Sequence, residues 1–168
     1  MKVKICGITN ESDLKAVVEA GADAVGFVIE APKSLRNLSL EKGKALIKKC
    51  PPFVSTVVVT LANDRLTEID EMLRPDCLQV YSARRKDLES VSMKVIHSLV
   101  VGAADEKEII RVSNLSDAVL LDSGHGTGRV HDWSLSKKIC SKVDKPVILA
   151  GGLNPDNVRA IVIKNAEA

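Results

Sequence analysis

Leu120-Leu121-Asp122-Ser123-Gly124-His125-Gly126-Thr127-Gly128 is the stretch on which the reading of this 168-residue chain turns. The apolar run from Ala118 to Leu121 delivers a carboxylate at its end and opens into a glycine-rich loop. A short, continuously apolar run is how a strand buried in a parallel sheet reads, and the loop beyond its carboxyl end is where α/β folds put ligands. Glycines leave backbone N–H groups uncovered and tolerate positive φ, so this loop suits an anionic group. Gly126 and Thr127 are its candidate substrate contacts, with Asp122 beside them.

Working outward, the same unit recurs. Strands are expected at Val3–Cys6, Ala24–Ile29, Val54–Thr60, Cys77–Val80, Lys94–Val101, Ala118–Leu121 and Val147–Ala150. Helices are expected over Glu11–Ala20 behind an Asn10 or Thr9 cap, from a Ser39 cap to about Lys49, and over Asp64–Leu73. Further helices follow near Lys86–Ser90 and over Asp105–Val112, Leu135–Lys142 and Pro155–Lys164, while Glu30 to Leu38 reads as a loop. Such alternation of short strands and amphipathic helices implies right-handed βαβ units and a parallel sheet. The repeat of roughly twenty-odd residues is the pitch of a (β/α)8 TIM barrel. About seven units are legible, so the expectation is a single barrel domain over 1–168 whose eighth unit is not in the sequence.

Composition narrows the function. Lys and Arg number 24 against 22 Asp and Glu, too balanced for a nucleic-acid or membrane surface. Aromatics are 2% of residues, which leaves almost no stacking platform for bases. Cys6, Cys50, Cys77 and Cys140 are scattered without a CxxC pair, and no stretch reads as a signal peptide or membrane span. A reduced, cytoplasmic protein is expected.

Three strand ends would converge at the mouth of a closed barrel: Cys6, Asp122 and Gly151-Gly152. Cys6 reads either as a small buried residue closing a strand or as a thiolate base. Asp122 reads either as a carboxylate capping the glycine loop or as a general acid. Gly151-Gly152-Leu153-Asn154-Pro155 reads as a tight turn before a helix or as an anion site on its N-terminus. Arg36 is solvated charge or a clamp for a substrate carboxylate. His125 and His131 near Asp122 and Asp132 match no zinc spacing, so no metal is expected.

Lys4-Ile5-Cys6-Gly7-Ile8-Thr9, Ala24-Val25-Gly26-Phe27, Ser34-Leu35-Arg36, Leu121-Asp122-Ser123 with Gly126-Thr127-Gly128 and Asp132-Trp133, and Leu149 to Pro155 with Asn157 together resemble the phosphoribosylanthranilate isomerase family of tryptophan biosynthesis. The resemblance runs through the whole chain in order. It implies an Amadori rearrangement of N-(5′-phosphoribosyl)anthranilate to a carboxyphenylamino-deoxyribulose phosphate, with Asp122 as general acid and Cys6 as general base. It further implies Arg36 along the anthranilate, half of the phosphate grip from Gly151, Gly152 and Asn154, no cofactor, and a monomer or homodimer. Two departures stand out: Gln79-Val80-Tyr81-Ser82 replaces the family's Gln-Leu-His-Gly, and the family's eighth strand with its Ser-Gly-Val-Glu loop is not found. The alternative is a non-catalytic fragment needing a partner or a further segment for activity.

Overall fold

The computed structural model describes residues 1–81, 83–89, 91–124 and 133–159. The chain divides into two compact units, Met1–Val95 and Ile96–Ala168.

The first unit holds β1 (Lys4–Cys6), α1 (Glu11–Glu19), β2 (Ala24–Ile29), β3 (Asn37–Leu38) and α2 (Leu40–Ile47). It continues with β4 (Ser55–Thr60), a 3-10 turn (Asn63–Arg65), α3 (Leu66–Leu73), β5 (Cys77–Tyr81) and the short α4 (Arg85–Leu88). Its strands run parallel, with β1 on β2, β2 on β4 and β4 on β5. The caps follow from the sequence: Asn10 Oδ1 accepts from Asp13 N at 2.9 Å, and Ser39 Oγ accepts from Lys42 N at 3.4 Å. Helix α3 stops because Arg74 turns left-handed at φ 46° and Pro75 follows.

Strand side chains alternate between two faces. Val25, Phe27 and Ile29 of β2, Val58 of β4 and Leu78 and Val80 of β5 join Leu14, Leu46, Leu66, Ile69 and Leu73 of the helices in one core. Each such fully buried aliphatic or aromatic side chain contributes roughly 1.5–3 kcal/mol. The opposite face carries the residues between them. At one level of register it runs Cys6, Gly26, Val57, Cys77, and Gln79 and Tyr81 lie further along β5.

The loop expected from Glu30 to Leu38 differs from its reading, because Asn37–Leu38 forms a strand pairing in parallel with Val28–Ile29. The return is made by a turn: Ser34 N donates to Ala31 O, Asn37 N donates to Ser34 O, and Asn37 Oδ1 accepts from Ala31 N at 2.8 Å. A two-residue strand is too short to leave a period in the sequence.

The second unit begins within β6 (Lys94–Val100) and continues with α5 (Glu106–Asn114), β7 (Ala118–Asp122), α6 (Trp133–Cys140) and β8 (Val147–Leu149), with β6, β7 and β8 in parallel. Asp105 caps α5 by accepting from Glu108 N at 2.8 Å. Leu99, Val119 and Leu121 pack with Ile109, Val112 and Ile139 of the helices. Of the helix expected over Pro155–Lys164, residues 160–164 lie outside the described residues. Parallel strands alternating with helices are the architecture that the sequence period implied.

Candidate active site

Cys6 is the last residue of β1 and is exposed. The chain leaves the strand through Gly7 at φ 86°, where the N–H groups of Gly7 and Ile8 both donate to Gly26 O, at 2.9 and 3.0 Å. This double anchor fixes the direction in which the backbone turns away from Cys6. Gly26 is level with Cys6 on β2, and a Cβ there would lie 2.7 Å from Cys6 Sγ. The thiol occupies the space that a side chain on Gly26 would need.

Arg36 is brought to the same strand end. Its backbone N–H donates to Ser34 Oγ at 3.2 Å, and its Nη1 donates to Cys6 O at 3.5 Å. The guanidinium stem lies over Gly7, where a Cβ would come 2.4 Å from Arg36 Cδ. A planar cation at the end of the strand that carries Cys6 can take a carboxylate or stack on an aromatic ring.

In the second unit Asp122 is the last residue of β7 and is only 5% exposed. Val101 N donates to its carbonyl at 2.9 Å and Ala150 N donates to Leu121 O at 2.8 Å, so both flanking strands hold it. Gly151 follows β8 at φ 89°, and a Cβ on it would lie 2.8 Å from Asp122 Oδ1 and 2.2 Å from Ser123 Oγ. The absence of a side chain lets the two loops close on each other. Ser123 Oγ is buried and has no hydrogen-bond partner among the described residues.

Gly152 also has positive φ, 65°. Its carbonyl accepts from Asn157 Nδ2 at 2.8 Å. Asn154 Oδ1 accepts from the N–H groups of Asp156 and Asn157, both at 3.0 Å, and Asn157 Oδ1 accepts from Asn154 N at 2.9 Å. The Asn154 side-chain oxygen is thus engaged as a cap, and the Gly152 carbonyl is held by Asn157.

Cys6 and Arg36 are therefore together in the first unit, and Asp122, Ser123 and Gly151 are together in the second. Gly126 and Thr127, with His125, His131 and Asp132, lie outside the described residues. No group of three or more His, Cys, Asp or Glu side chains among the described residues is arranged to hold a metal ion.

Two features went unassigned in the sequence. One is Gly26, whose role follows from its register with Cys6. The other joins Lys4, Gln79 and Tyr81: Lys4 Nζ donates to Gln79 Oε1, and Gln79 Nε2 donates to the Tyr81 hydroxyl at 3.4 Å. The available signal was Lys4 sharing a strand face with Cys6, since a lysine inside a parallel sheet needs a partner.

Residues 3–167 match the family model described as N-(5′-phosphoribosyl)anthranilate (PRA) isomerase. An N-(5′-phosphoribosyl)anthranilate isomerase of Natronomonas pharaonis is 39% identical over 165 residues, covering 94% of this chain and 79% of that one. The crystal structure of phosphoribosyl anthranilate isomerase from Thermus thermophilus superposes with a TM-score of 0.85 at 28% identity, over 97% of this chain and 82% of that one. A second solved isomerase, in complex with reduced 1-(o-carboxyphenylamino)-1-deoxyribulose 5-phosphate, gives a TM-score of 0.78 at 32% identity, over 97% and 81%. The fold class expected from the sequence, a (β/α)8 barrel type with about seven units in this chain, is that of these relatives.

Proposed function

Because the chain belongs to the N-(5′-phosphoribosyl)anthranilate isomerase family and is an isomerase of tryptophan biosynthesis, we propose that Asp122 and Cys6 are its acid and base. The reaction is the Amadori rearrangement of N-(5′-phosphoribosyl)anthranilate to 1-(2-carboxyphenylamino)-1-deoxyribulose 5-phosphate. Asp122 protonates the furanose ring oxygen as the C1′–O bond breaks, and the anthranilate nitrogen forms a Schiff base with C1′. Cys6 then removes the C2′ proton, and the electron pair moves into the C1′–C2′ bond to give an enol-amine. Ketonisation at C2′ returns a proton to C1′, so atoms balance and no external oxidant or reductant is used.

The observation that carries this reading is positional. Cys6 and Asp122 are each the last residue of a parallel strand, within two of the stretches that resemble the family. Strand carboxyl ends are where barrels of this type keep their chemistry. Arg36, stretched over Gly7 beside Cys6, suits the anthranilate end of the substrate. Gly126 and Thr127 are assigned to the substrate and Gly151, Gly152 and Asn154 to its phosphate; positive φ at both glycines supports the phosphate assignment. For Asn154 the contribution falls to its amide NH2, because its oxygen caps the following turn.

The substrate class is a phosphorylated small molecule, and the reading includes no cofactor, nucleic acid or membrane. No helix among the described residues is long and apolar enough to cross a membrane. A cytoplasmic location, a single domain, and a monomer or homodimer belong to the same proposal. The non-catalytic alternative gains no support from the residues at the strand ends.

The test follows loss of anthranilate fluorescence in Cys6→Ser and Asp122→Asn variants. Each is expected to lose at least ~100-fold in turnover, the scale of a positioned acid or base. Binding of reduced 1-(o-carboxyphenylamino)-1-deoxyribulose 5-phosphate should survive in both. Turnover retained in both variants would end the acid/base assignment.

A further inference from the structure

Ser123 follows Asp122 directly, where β7 gives way to its loop. Its Oγ is buried and has no hydrogen-bond partner among the described residues. A buried hydroxyl without a partner has lost its hydration without compensation. Buried polar side chains ordinarily find partners, so an idle one calls for an explanation.

Its surroundings supply one. A Cβ built on Gly151 would stand 2.2 Å from Ser123 Oγ, 2.7 Å from Ser123 N and 2.8 Å from Asp122 Oδ1. The hydroxyl therefore lies against the bare side of Gly151, and the Asp122 carboxyl approaches the same point. Gly151 and Gly152, at φ 89° and 65°, form the turn to which the phosphate is assigned. Asn154 and Asn157 engage their side-chain oxygens with N–H groups of that turn and the residues after it. Ser123 brings to the same turn a hydroxyl that no described residue uses.

The connectivity of the substrate places the acid and the phosphate close together. In N-(5′-phosphoribosyl)anthranilate only C4′, C5′ and O5′ separate the furanose ring oxygen from phosphorus. A residue adjacent to the carboxyl that protonates the ring oxygen is therefore within reach of the phosphate. Asp122 and Ser123 are adjacent in sequence and meet the same glycine.

We propose that Ser123 is a substrate-binding residue whose hydroxyl, unpartnered in the free protein, donates to a phosphate oxygen of N-(5′-phosphoribosyl)anthranilate. The proposal rests on the reading that Asp122 is the acid and that the Gly151-Gly152 turn takes the phosphate. Rotation about the Cα–Cβ bond between staggered positions carries the hydroxyl from Gly151 to the ligand. The acceptor is charged, which makes the bond stronger than one between neutral groups. Bonds change at C1′ and C2′ and not at phosphorus, so the contact is the same in bound substrate and transition state. Such a contact moves KM and leaves kcat unchanged.

The experiment measures kcat, KM, competitive inhibition by inorganic phosphate and the ligand-free thermal midpoint for the wild-type protein and Ser123→Ala. KM and the phosphate inhibition constant are expected to rise together by about tenfold or more, the scale of a hydrogen bond to a charged group, with kcat little changed. The thermal midpoint should equal or exceed that of the wild type, because alanine removes a buried hydroxyl that lacks a partner.

An unchanged KM in Ser123→Ala would overturn the proposal. So would a fall in kcat with phosphate inhibition unaltered, which would tie the hydroxyl to Asp122 instead. A lowered midpoint would reveal a structural partner in the free protein and would overturn it equally. Phosphate that competes alike in both proteins removes Ser123 alone and leaves the turn in place. Phosphate that fails to compete even in the wild type removes the turn reading as well, while Asp122→Asn tests the acid separately through kcat.

Discussion

The Cys6 thiol fills the place where Gly26 would carry a side chain: a Cβ on Gly26 would stand 2.7 Å from Sγ and 3.2 Å from both Cα and Cβ of Cys6. Gly26 is buried mid-strand and is not among the positive-φ glycines, so its backbone does not require glycine. What requires it is the neighbouring cysteine.

Gly26→Ala therefore separates space from backbone strain. In a strand interior alanine ordinarily gains ~0.5 kcal/mol over glycine. Here the methyl group displaces the thiol instead. Turnover is expected to fall on the order of 10- to 100-fold, as for a reacting group moved by about an ångström. The alkylation rate of Cys6 should change with it. Native turnover in a folded Gly26→Ala protein would show that the thiol position is not limiting.

Gly151→Ala tests the corresponding approach in the second unit, for a different reason. At φ 89° an alanine is strained by its own backbone, and its Cβ meets Ser123 Oγ at 2.2 Å and Asp122 Oδ1 at 2.8 Å. Losses of stability of about 1–2 kcal/mol from the backbone alone are expected. Turnover should fall by more than the loss of folded protein explains. Thermal unfolding measured beside activity per folded molecule distinguishes the two effects.

His97 predicts an acid limb of stability. It lies on β6 at 1% exposure, and its Nδ1 has no hydrogen-bond partner among the described residues. Burial first, then the Arg111 guanidinium on α5, push its pKa down from 6.5 to about 4, with Glu108 on the same helix opposing. The unfolded chain therefore takes up this proton more readily than the folded one between pH 6.5 and 4. The stability involved is whole above pH 6.5 and is lost as pH falls through that window. The loss reaches up to ~3 kcal/mol, because a tenfold difference in proton affinity between the folded and unfolded chain is worth about 1.4 kcal/mol. His97→Leu should flatten this part of the thermal midpoint against pH. An unchanged acid limb would assign it to other groups.

Asp70 and Asp76 are expected to affect stability without affecting catalysis. Asp76 Oδ2 accepts from Thr56 N and Oγ1 at 2.7 and 2.8 Å, which ties the entry of β5 to β4. Asp70 Oδ2 accepts from Ser92 N and Oγ at 2.8 and 2.9 Å and tethers the segment ahead of β6 to α3. These ties gather at the amino ends of strands, away from Cys6. Alanine at either position should cost about 1–3 kcal/mol, the scale of orphaned backbone donors, with kcat/KM unchanged in the folded protein. A selective loss of kcat/KM in either variant would contradict this.

Much of the architecture was legible because burial on both sheet faces leaves continuous apolar runs. Ala24–Ile29 was read with its observed bounds, and Asn10, Ser39 and Asp105 sit at the starts of their helices as expected. The 3-10 turn at Asn63–Arg65 and the two-residue strand Asn37–Leu38 were not separable from their surroundings, being shorter than any period that marks them. Cys6, Asp122 and Gly151 were legible as candidates because each stands at a change from apolar run to loop, and Arg36 as a charge within the loop that follows β2.

The sequence by itself determined the order of strands and helices, the strand ends that carry reactive groups, and the family, since these depend on residue type and spacing along the chain. Tertiary structure alone decided which residues make room for those groups. Gly26 serves Cys6, Gly7 serves Arg36 and Gly151 serves Asp122 through contacts between segments far apart in sequence. It also decided that Lys4 meets Gln79 and that the Asn154 oxygen is taken up by a cap. The physical reason is that exclusion and hydrogen-bond satisfaction act between atoms close in space, and no period along a chain records which strand will lie beside which.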